Sequence, residues 1–252
     1  MNNDFLSGLI AGSFTRTLIA PLDFIKIRKQ IGKEFRIRNV IKNEGYLGFW
    51  KGNLIGSLYY GGYCGIQFLI YEECKSKLDL NPVINGAITG LTTSCITYPL
   101  NTIKTRYISQ INISIYNHIN DIWKRNPSYL FDGISINLLS IIPYTATKFF
   151  CYEYLLNKNL GNYEIPIAGA VSGILAQTIT MPMDNIEKRI QLERFTLKDY
   201  NKKINFINIT KGIIQKDGYM SLFYGLKPAI LKQAVASSLI FSLYNYIRNL
   251  TG

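Results

Sequence analysis

Long stretches of mostly apolar and small residues alternate along the chain with short polar segments. The first such stretch, residues 5–20, is followed directly by PLDFIKIR at residues 21–28, where an acid and a base enter an otherwise apolar segment. Proline removes one backbone hydrogen bond and crowds the preceding turn, so the pattern predicts a helix bent at Pro21. Asp23 and Lys26 are three residues apart and therefore share one face of that helix.

This pattern occurs three times. PLNTIKTR stands at residues 99–106 and PMDNIEKR at residues 182–189, and each proline follows a Gly-x-x-x-Gly pair by nine residues. A second landmark comes later in each copy: EGYLGFWKG at 44–52, RNPSYLFDG at 125–133 and DGYMSLFYG at 217–225. Glycines four residues apart let helices approach closely in a membrane. We therefore divide the single domain 1–252 into repeats 1–79, 80–160 and 161–252.

Each repeat is predicted to hold one long helix with the proline, a polar connector and a second long helix. The connectors, residues 33–43, 114–124 and 203–216, mix apolar and charged residues at roughly helical spacing, which predicts short amphipathic helices at an interface. Six spans of ~20–28 residues fit the chain length. The predicted fold is therefore an all-α membrane protein with six transmembrane helices in three pseudosymmetric repeats, related by an axis along the membrane normal.

The composition narrows the type of membrane helix. Charged residues make up 17% of the chain, against roughly 25% in soluble proteins. The mean hydropathy of +0.07 is too polar for helices that face lipid on every side, and it suits helices with one face toward water. The net charge of +12 favours an anionic partner. No nucleic-acid motif is present and the basic residues are scattered, so we expect an anionic lipid or solute and no nucleic acid.

The chain offers no set of residues for covalent or metal chemistry. The cysteines show no metal or redox spacing, and the single histidine, His118, lies in a polar segment. We therefore expect no metal, no cofactor and no enzymatic activity. The four cysteines are predicted to be small buried apolar side chains: Cys64, Cys74, Cys95 and Cys151.

The repeated pattern resembles the mitochondrial carrier family. Its marks are Pro-x-acid-x-x-base-x-base, followed by acid-Gly-x4-aromatic-base-Gly, and the first copy matches at every position. The resemblance covers essentially the whole chain. It implies a multi-pass protein of the mitochondrial inner membrane, a monomer with short amphipathic helices on the matrix side, whose central cavity opens alternately to each side.

The resemblance also implies a gate on the matrix side, in which the acid of one repeat faces the base of the next. The second repeat has Asn101 where an acid is expected, and the third has Glu187 where a base is expected. An Asn amide can donate to a carboxylate, so we expect two ion pairs and one amide–carboxylate contact. The expected partners are Asp23 with Lys104, Asn101 with Glu187, and Asp184 with Lys26.

A second gate is implied at the opposite, cytoplasmic end. Glu72 and Lys75 fit its aromatic-acid-x-x-base pattern, whereas the second repeat lacks the base and the third has Asn245 in place of the acid. Only Glu153 with Arg248 remains as an ion pair between repeats. A weaker gate is less populated in its closed state, so we expect the unliganded protein to rest open to the intermembrane space.

Substrate contacts are expected between the two gates. Tyr59, Ser140 and Lys232 each follow a landmark glycine by seven residues, and they resemble the contact positions of the family. Arg16 and Lys148 add cations near the same depth, which favours an anionic solute with phosphate groups. The remaining predicted contacts are Tyr63, Gln67, Ile141 and Tyr144. The resemblance further implies that a membrane lipid, cardiolipin, binds at Trp50, Lys51 and Gly52.

Within the family, the second long helices of the repeats resemble those of the thiamine pyrophosphate carriers. The similar residues are GGY at 61–63 with Gln67, and GLKPAILK at 225–232. The implied function is transport of thiamine pyrophosphate in exchange for a nucleotide. A lysine at position 232 is also similar to carriers of coenzyme A and of adenine nucleotides, so that alternative stays open. A third possibility is a carrier-like scaffold that transports nothing, because Asn101, Asp132 and Leu156 depart from the pattern.

Overall fold

Three copies of one helical unit follow each other along the chain in the computed structural model. It describes residues 2–32, 35–78, 82–111, 113–156, 164–196 and 205–236. The first unit consists of α1 (Asn2–Gln30), α2 (Ile37–Glu44) and α3 (Asn53–Leu78). The second consists of α4 (Pro82–Ser109), α5 (Ile115–Arg125) and α6 (Ile134–Leu156). The third consists of α7 (Glu164–Thr196), α8 (Phe206–Asp217) and α9, which is described over residues 226–236.

The three short helices α2, α5 and α8 lie within the predicted connectors or overlap them closely. Two of them begin at a side-chain cap: Ser114 accepts a hydrogen bond from the Asn117 amide, and Asn205 accepts one from the Ile207 amide. Such caps satisfy amides that have no partner within the helix. A short 3₁₀ helix then leads into each following long helix: Tyr46–Trp50, Pro127–Phe131 and Tyr219–Phe223.

The landmark glycines mark close contacts between helices. Gly52 and Gly225 have φ angles of 81° and 85°, a conformation that other residues rarely adopt. A Cβ atom at Gly52 would lie 2.9 Å from Ile108 of α4, and one at Gly225 would lie 2.9 Å from the Lys26 carbonyl oxygen of α1. Both the backbone angle and the lack of space therefore require glycine at these two positions, where α3 and α9 begin.

The apolar core lies at the end of the bundle that carries the short helices. One cluster joins α1, α2 and α4, and the other joins α6, α7 and α8. The clusters consist of Phe24, Ile27, Val40 and Ile108, and of Ile136, Ile186, Ile190 and Ile213. Along the long helices, by contrast, large apolar side chains such as Leu69 and Phe150 remain exposed.

Helix α4, which carries the second copy of the repeated proline pattern, has a polar interior face. On α4 the threonines Thr89, Thr93, Thr97, Thr102 and Thr105 are all buried. By length and composition, one helical stretch in the described ranges, Pro127–Leu156, is apolar enough to cross a membrane. The other long helices carry threonine, serine, glycine or charged residues in their hydrophobic segments, which lowers their mean hydropathy.

Candidate functional site

The three proline-containing stretches of α1, α4 and α7 meet near the apolar core, and their polar side chains form a closed cycle. Lys104 donates to the Asp23 carboxylate. The Asn101 amide donates to Glu187 Oε1 over 3.2 Å, and Lys26 donates to Asp184 Oδ2 over 3.0 Å. Each repeat thus contacts the next, and the third contacts the first. The structure brings together the three pairs that the sequence proposed for the matrix gate.

Asp23 has a second cationic partner. The Lys232 ammonium group of α9 lies 2.8 Å from Asp23 Oδ1, while Lys104 contacts Oδ2. Lys232 was predicted to bind substrate, and the structure places it directly against the gate residue. One carboxylate therefore joins all three repeats, because α1, α4 and α9 each contribute one charged group.

Glu187 is the centre of a polar cluster that the sequence did not predict in full. Its side chain is 2% exposed, and four neighbours hold it. Besides Asn101, these are Asn137 of α6 at 3.1 Å, Gln191 at 2.8 Å and Lys188 at 3.2 Å. Lys188 also reaches the Asn101 side-chain oxygen over 3.2 Å. Position 187 holds an acid where the repeated pattern has a base, and the adjacent Lys188 thus supplies the cation.

A second cycle of contacts lies one turn further along the same helices. The arginines of the three proline stretches each donate to a backbone carbonyl near the end of the next proline-containing helix. Arg28 reaches the Gln110 carbonyl over 3.0 Å, Arg106 reaches the Gln191 carbonyl over 2.8 Å, and Arg189 reaches the Gln30 carbonyl over 3.3 Å. Gln30 ends α1 and Gln110 directly follows the end of α4, where carbonyls lack helical partners and attract cations. These arginines therefore help to hold the three helices together.

The acids of the second landmark pair with the same arginines. Glu44 contacts Arg28 at 2.6 Å, and Asp217 contacts Arg189 at 2.9 Å. In the second repeat an arginine replaces that acid, and Asp132 contacts Arg106 at 3.4 Å instead. The acid thus moves to another position while the contact is kept.

The residues predicted to bind lipid take part in protein contacts. Lys51 lies 3.1 Å from Glu44 and donates to the Gln110 carbonyl over 2.6 Å. The Trp50 indole donates to the Thr17 carbonyl over 2.9 Å, and Gly52 packs against α4. These side chains therefore connect the first landmark to α1 and to the end of α4.

Arg16, Tyr59 and Tyr63 were predicted to bind substrate, and each lies beside a tyrosine ring. Arg16 stacks on the Tyr60 ring, with its guanidinium carbon 3.7 Å from the ring centre. The Tyr59 and Tyr63 rings lie 6.3 Å apart. Tyr59 is within electrostatic reach of Arg16 and of the gate acid Asp184. Tyr59 and Tyr63 are half-buried, whereas Tyr60 is exposed.

Five further predicted contacts belong to α3 and α6. Ser140 is buried and donates to the Asn137 carbonyl over 2.7 Å. Tyr144 is within electrostatic reach of Lys26 and Asp184. Gln67 and Ile141 are half-buried, whereas Lys148 is exposed and lies further along α6. Among these five residues, Lys148 thus has the most exposed side chain.

The predicted cytoplasmic gate shows no comparable cluster in the part of the chain that is described. Glu72, Lys75 and Glu153 are exposed. The ion pair at that end of α3 joins Lys77 to Glu73. Asn245 and Arg248 lie outside the described residues. Polar contacts between repeats are therefore concentrated at the end of the bundle that carries the short helices.

The described residues include no group of three His, Cys, Asp or Glu side chains that could hold a metal ion. The cysteines are free thiols, and the prediction that all four are buried was wrong: Cys64 is exposed, and Cys74, Cys95 and Cys151 are half-buried. Cys64 lies on α3, which also carries exposed apolar side chains such as Phe68. The site is consequently an arrangement of ammonium, guanidinium, carboxylate, amide and phenol groups.

The sequence contained partial signals for the contacts that it did not predict. Gln30 and Gln191 both stand nine residues after a repeated proline, so the repeat alignment could have found them. Asn137 stands four residues after its landmark glycine, where the first repeat has Gly56. A Cβ atom at Gly56 would lie 3.1 Å from the Lys104 ammonium. This position therefore adjoins the gate in both repeats.

The sequence profile of the mitochondrial carrier protein family matches the chain three times, over residues 1–82, 79–164 and 158–252. Together these matches cover the chain from end to end, and their spacing follows the three helical units.

Full-length relatives show the same similarity. The mitochondrial thiamine pyrophosphate carrier 1 of Vanderwaltozyma polyspora is 31% identical, over 98% of this chain and 94% of the relative. Mitochondrial substrate carrier family protein A of Dictyostelium discoideum is 32% identical, over 96% of this chain and 83% of the relative. The adenine nucleotide transporter BT1, chloroplastic/mitochondrial, of Arabidopsis thaliana is 26% identical, over 95% and 67%.

Proposed function

The chain belongs to the mitochondrial carrier protein family, and on that premise we propose that it transports an anionic, phosphate-bearing cofactor across the mitochondrial inner membrane. Thiamine pyrophosphate is the substrate that the relatives support best, because several of them carry that name. The proposed exchange partner is a nucleotide. Transport requires no covalent step, so the residues of the site act only by binding and by opening or closing the cavity.

One observation carries the choice of an anionic substrate: the described cluster at the gate contains one cation more than it contains acids. The acids are Asp23, Asp184 and Glu187, and the lysines are Lys26, Lys104, Lys188 and Lys232. Arg16, seven residues before Asp23 on α1, adds a further positive charge. Charges inside a low-dielectric bundle are strongly unfavourable unless paired, so a bound anion would complete the balance.

The tyrosines supply the second part of the proposed site. Tyr59, Tyr63 and Tyr144 present half-buried rings and hydroxyl groups beside the lysines. Aromatic rings can pack on a heterocycle, while ammonium and guanidinium groups are suited to phosphate oxygens. A molecule with a ring at one end and a diphosphate at the other matches this division, and thiamine pyrophosphate has that form.

The six long helices would form the membrane bundle in this proposal, with α2, α5 and α8 on the matrix side. The exposed apolar side chains along α3 and α6, among them Leu69 and Phe150, would then face lipid. The cycle of polar contacts would close the matrix end. The exposed Glu72, Lys75 and Glu153 would leave the other end open, and substrate would enter there by alternating access. We propose a monomer as the functional unit and cardiolipin as a bound lipid.

Exchange in liposomes tests the proposal. Purified protein in vesicles loaded with unlabelled thiamine pyrophosphate is expected to take up labelled thiamine pyrophosphate. Lys232→Ala and Arg16→Ala should each reduce the initial rate at least about tenfold, the loss expected when one charged contact is removed. Lys77→Ala is the matched control, because Lys77 is exposed and pairs only with its helix neighbour Glu73 among the described residues.

Competing substrates decide between the alternatives. Similarity to an adenine nucleotide transporter supports a nucleotide as the counter-substrate and also as the main substrate. Unlabelled adenine nucleotides and coenzyme A are therefore added in excess to the same assay. Stronger inhibition by either than by thiamine pyrophosphate would reassign the substrate. Folded protein that exchanges none of these compounds would support the scaffold alternative.

A further inference from the structure

A separate cavity of about 130 Å³ lies at the end of the bundle that carries the short helices. Its walls come from the end of α1, from one side of α2 and from Ile111, two residues after the end of α4. Neither the gate residues nor the predicted substrate contacts are among the described residues that line it. The cavity is therefore distinct from the site described above, and its polar lining consists of Arg28, Arg36, Asn39, Asn43 and Glu44.

Arg28 differs from the equivalent arginines of the other two repeats. Arg106 and Arg189 each donate from Nε to a backbone carbonyl, over 2.8 and 3.3 Å. Arg28 makes its carbonyl contact through a terminal nitrogen instead, and its Nε has no acceptor among the described residues although the residue is 6% exposed. A buried N–H without an acceptor is unfavourable, so this guanidinium group favours a ligand that brings an acceptor oxygen.

Positive charge is in excess around the cavity. Glu44 is the acid in its lining, and both carboxylate oxygens are engaged, Oε1 by Arg28 at 2.6 Å and Oε2 by Lys51 at 3.1 Å. These three side chains together carry one net positive charge, and Arg36 adds a second. A phosphate group has about two negative charges near pH 7 and accepts hydrogen bonds through its oxygens, so it complements this lining.

The amide donors stand on the same face of α2 as the cavity. Arg36, Asn39 and Asn43 follow each other at intervals of three and four residues, which places them along one side of the helix. All three are exposed and can be reached from outside the protein. Arg38 is exposed on the same helix but does not line the cavity.

The arginine on this face is specific to the first repeat. Arg36 stands sixteen residues before its landmark glycine, where the second and third repeats have Asn117 and Ile209. The pattern shared by the repeats therefore does not account for Arg36.

The size of the cavity limits what can enter it. Sites that enclose a whole drug-sized ligand measure roughly 300–1,000 Å³. A cavity of about 130 Å³ admits a compact group and excludes most of a cofactor or nucleotide. A ligand would therefore place its anionic group in the cavity and leave any larger part outside.

We propose that this cavity is a second anion site, which binds a phosphoryl group outside the transport path. Arg28 and Arg36 supply the positive charge, and Asn39 and Asn43 supply amide donors. Two sources have this chemistry: a soluble phosphate compound, and the headgroup of an anionic phospholipid. The site goes beyond the proposed transport and does not depend on it, because the two share no residue.

Binding of radiolabelled pyrophosphate to the full-length protein in detergent tests the proposal. The parent is the Arg16→Ala/Lys232→Ala double variant, which lacks two cations predicted to bind substrate. Equilibrium dialysis should show one pyrophosphate bound to each chain of the parent, and thermal unfolding shows whether the parent is folded. If it is not, the same substitutions are made in the wild-type chain, where loss of the site should lower the number of bound pyrophosphates by one.

The decisive comparison is between two arginines of the same segment. Arg36→Gln should weaken pyrophosphate binding at least about tenfold, the effect of losing one charge-assisted contact. Arg38→Gln removes the same charge outside the cavity and should leave the affinity within about twofold. Asn39→Asp, which adds a carboxylate to the cavity, should also weaken binding. Equal affinity for the parent and Arg36→Gln, or equal losses for Arg36→Gln and Arg38→Gln, would overturn the site.

Vesicles then identify the source of the phosphoryl group. The parent is dialysed against pyrophosphate in phosphatidylcholine vesicles, with and without added phosphatidylglycerol. Oleate at equal charge controls for the surface potential. A fall in affinity with phosphatidylglycerol but not with oleate assigns the site to a lipid headgroup, and equal affinity in all vesicles assigns it to a soluble phosphate compound. Because dialysis measures this site and liposome exchange measures transport, the two proposals can fail separately.

Discussion

The first and second repeats secure the same end of the bundle with opposite charges at two corresponding positions. The first repeat has Glu44 and Lys51, and the acid contacts Arg28 at 2.6 Å. The second has Arg125 and Asp132 at those positions, and Asp132 contacts Arg106 at 3.4 Å. The arginine of the proline stretch therefore keeps a carboxylate partner in both repeats, although the acid has moved seven residues along the chain. A position that departs from the family pattern can thus preserve the contact.

The two repeats also differ at the gate. Asp23 of the first repeat holds two lysines, whereas the matching Asn101 of the second is neutral and bonds to Glu187 and Lys188. The first repeat thus depends on charge pairing and the second on amide hydrogen bonds. Removing one partner of a buried charge pair is more destabilising than removing one neutral hydrogen bond. The repeats should therefore respond unequally to the same type of substitution.

The largest expected effect comes from Asp23→Asn. This change leaves Lys104 and Lys232 without their shared counter-charge, so we expect a loss of about 3–5 kcal/mol of stability and of nearly all exchange activity. In a thermal unfolding experiment in detergent, this corresponds to a fall on the order of 10 °C.

Asn101→Ala is the matched change in the second repeat. Glu187 keeps Asn137, Gln191 and Lys188 as partners, so the expected loss is about 1–2 kcal/mol. Equal falls in unfolding temperature for Asp23→Asn and Asn101→Ala would show that the two repeats do not differ in this way.

An effect smaller than that of Asp23→Asn is expected at the second landmark. Glu44→Gln removes the negative charge that holds both Arg28 and Lys51, and should lower stability by about 2–3 kcal/mol. Asp132→Asn should lower it by about 1 kcal/mol or less, because Arg106 also donates to the Tyr129 and Gln191 carbonyls. Chemical unfolding of both variants in the same detergent compares them directly. A greater loss for Asp132→Asn would mean that the transferred acid is the stronger of the two.

Much of this arrangement could be predicted from repeated motifs, and the remainder depends on distances that motifs do not encode. Counting from Pro21, Pro99 and Pro182 found the three pairs of side chains that are in contact, because a common offset places side chains at a common height on equivalent helices. The role of Lys188 was not predicted, since the pattern assigns the base to position 187. A flexible lysine side chain can reach a polar group from the neighbouring position on the helix.

Contacts with the backbone left only a partial signal in the sequence. The arginine contacts to the Gln110, Gln191 and Gln30 carbonyls depend on where each helix ends relative to the next. The contact between Lys232 and Asp23 similarly depends on the relative height of α9 and α1. Residue counting gives positions along one helix, and it does not give the offset between two helices.

Burial at the end of the bundle that carries the short helices separates the first and second repeats once more. His118 of α5 is 0% exposed, whereas Ile37, the residue fifteen positions before the first landmark glycine, as His118 is before the second, is 54% exposed. The sequence predicted only a histidine in a polar segment. In the structure His118 Nδ1 lies 2.9 Å from the Gln110 side-chain oxygen, and Nε2 lies 3.3 Å from the Ile103 carbonyl oxygen. The polar His118 is thus buried, and the apolar Ile37 is exposed.

The last expected effect follows from that burial and depends on pH. Burial lowers the pKa of His118 from 6.5 to about 4, and the cations Arg106 and Lys51 act in the same direction. The unfolded chain therefore takes up a proton at higher pH than the folded protein, and stability present above pH ~6.5 is lost as the pH falls toward ~4. Between pH 7.5 and 5.5 we expect a loss on the order of 1 kcal/mol, measured as the free energy of unfolding in denaturant. Because His118 is the only histidine, His118→Gln should abolish this slope, and an unchanged slope in the variant would assign it to other groups.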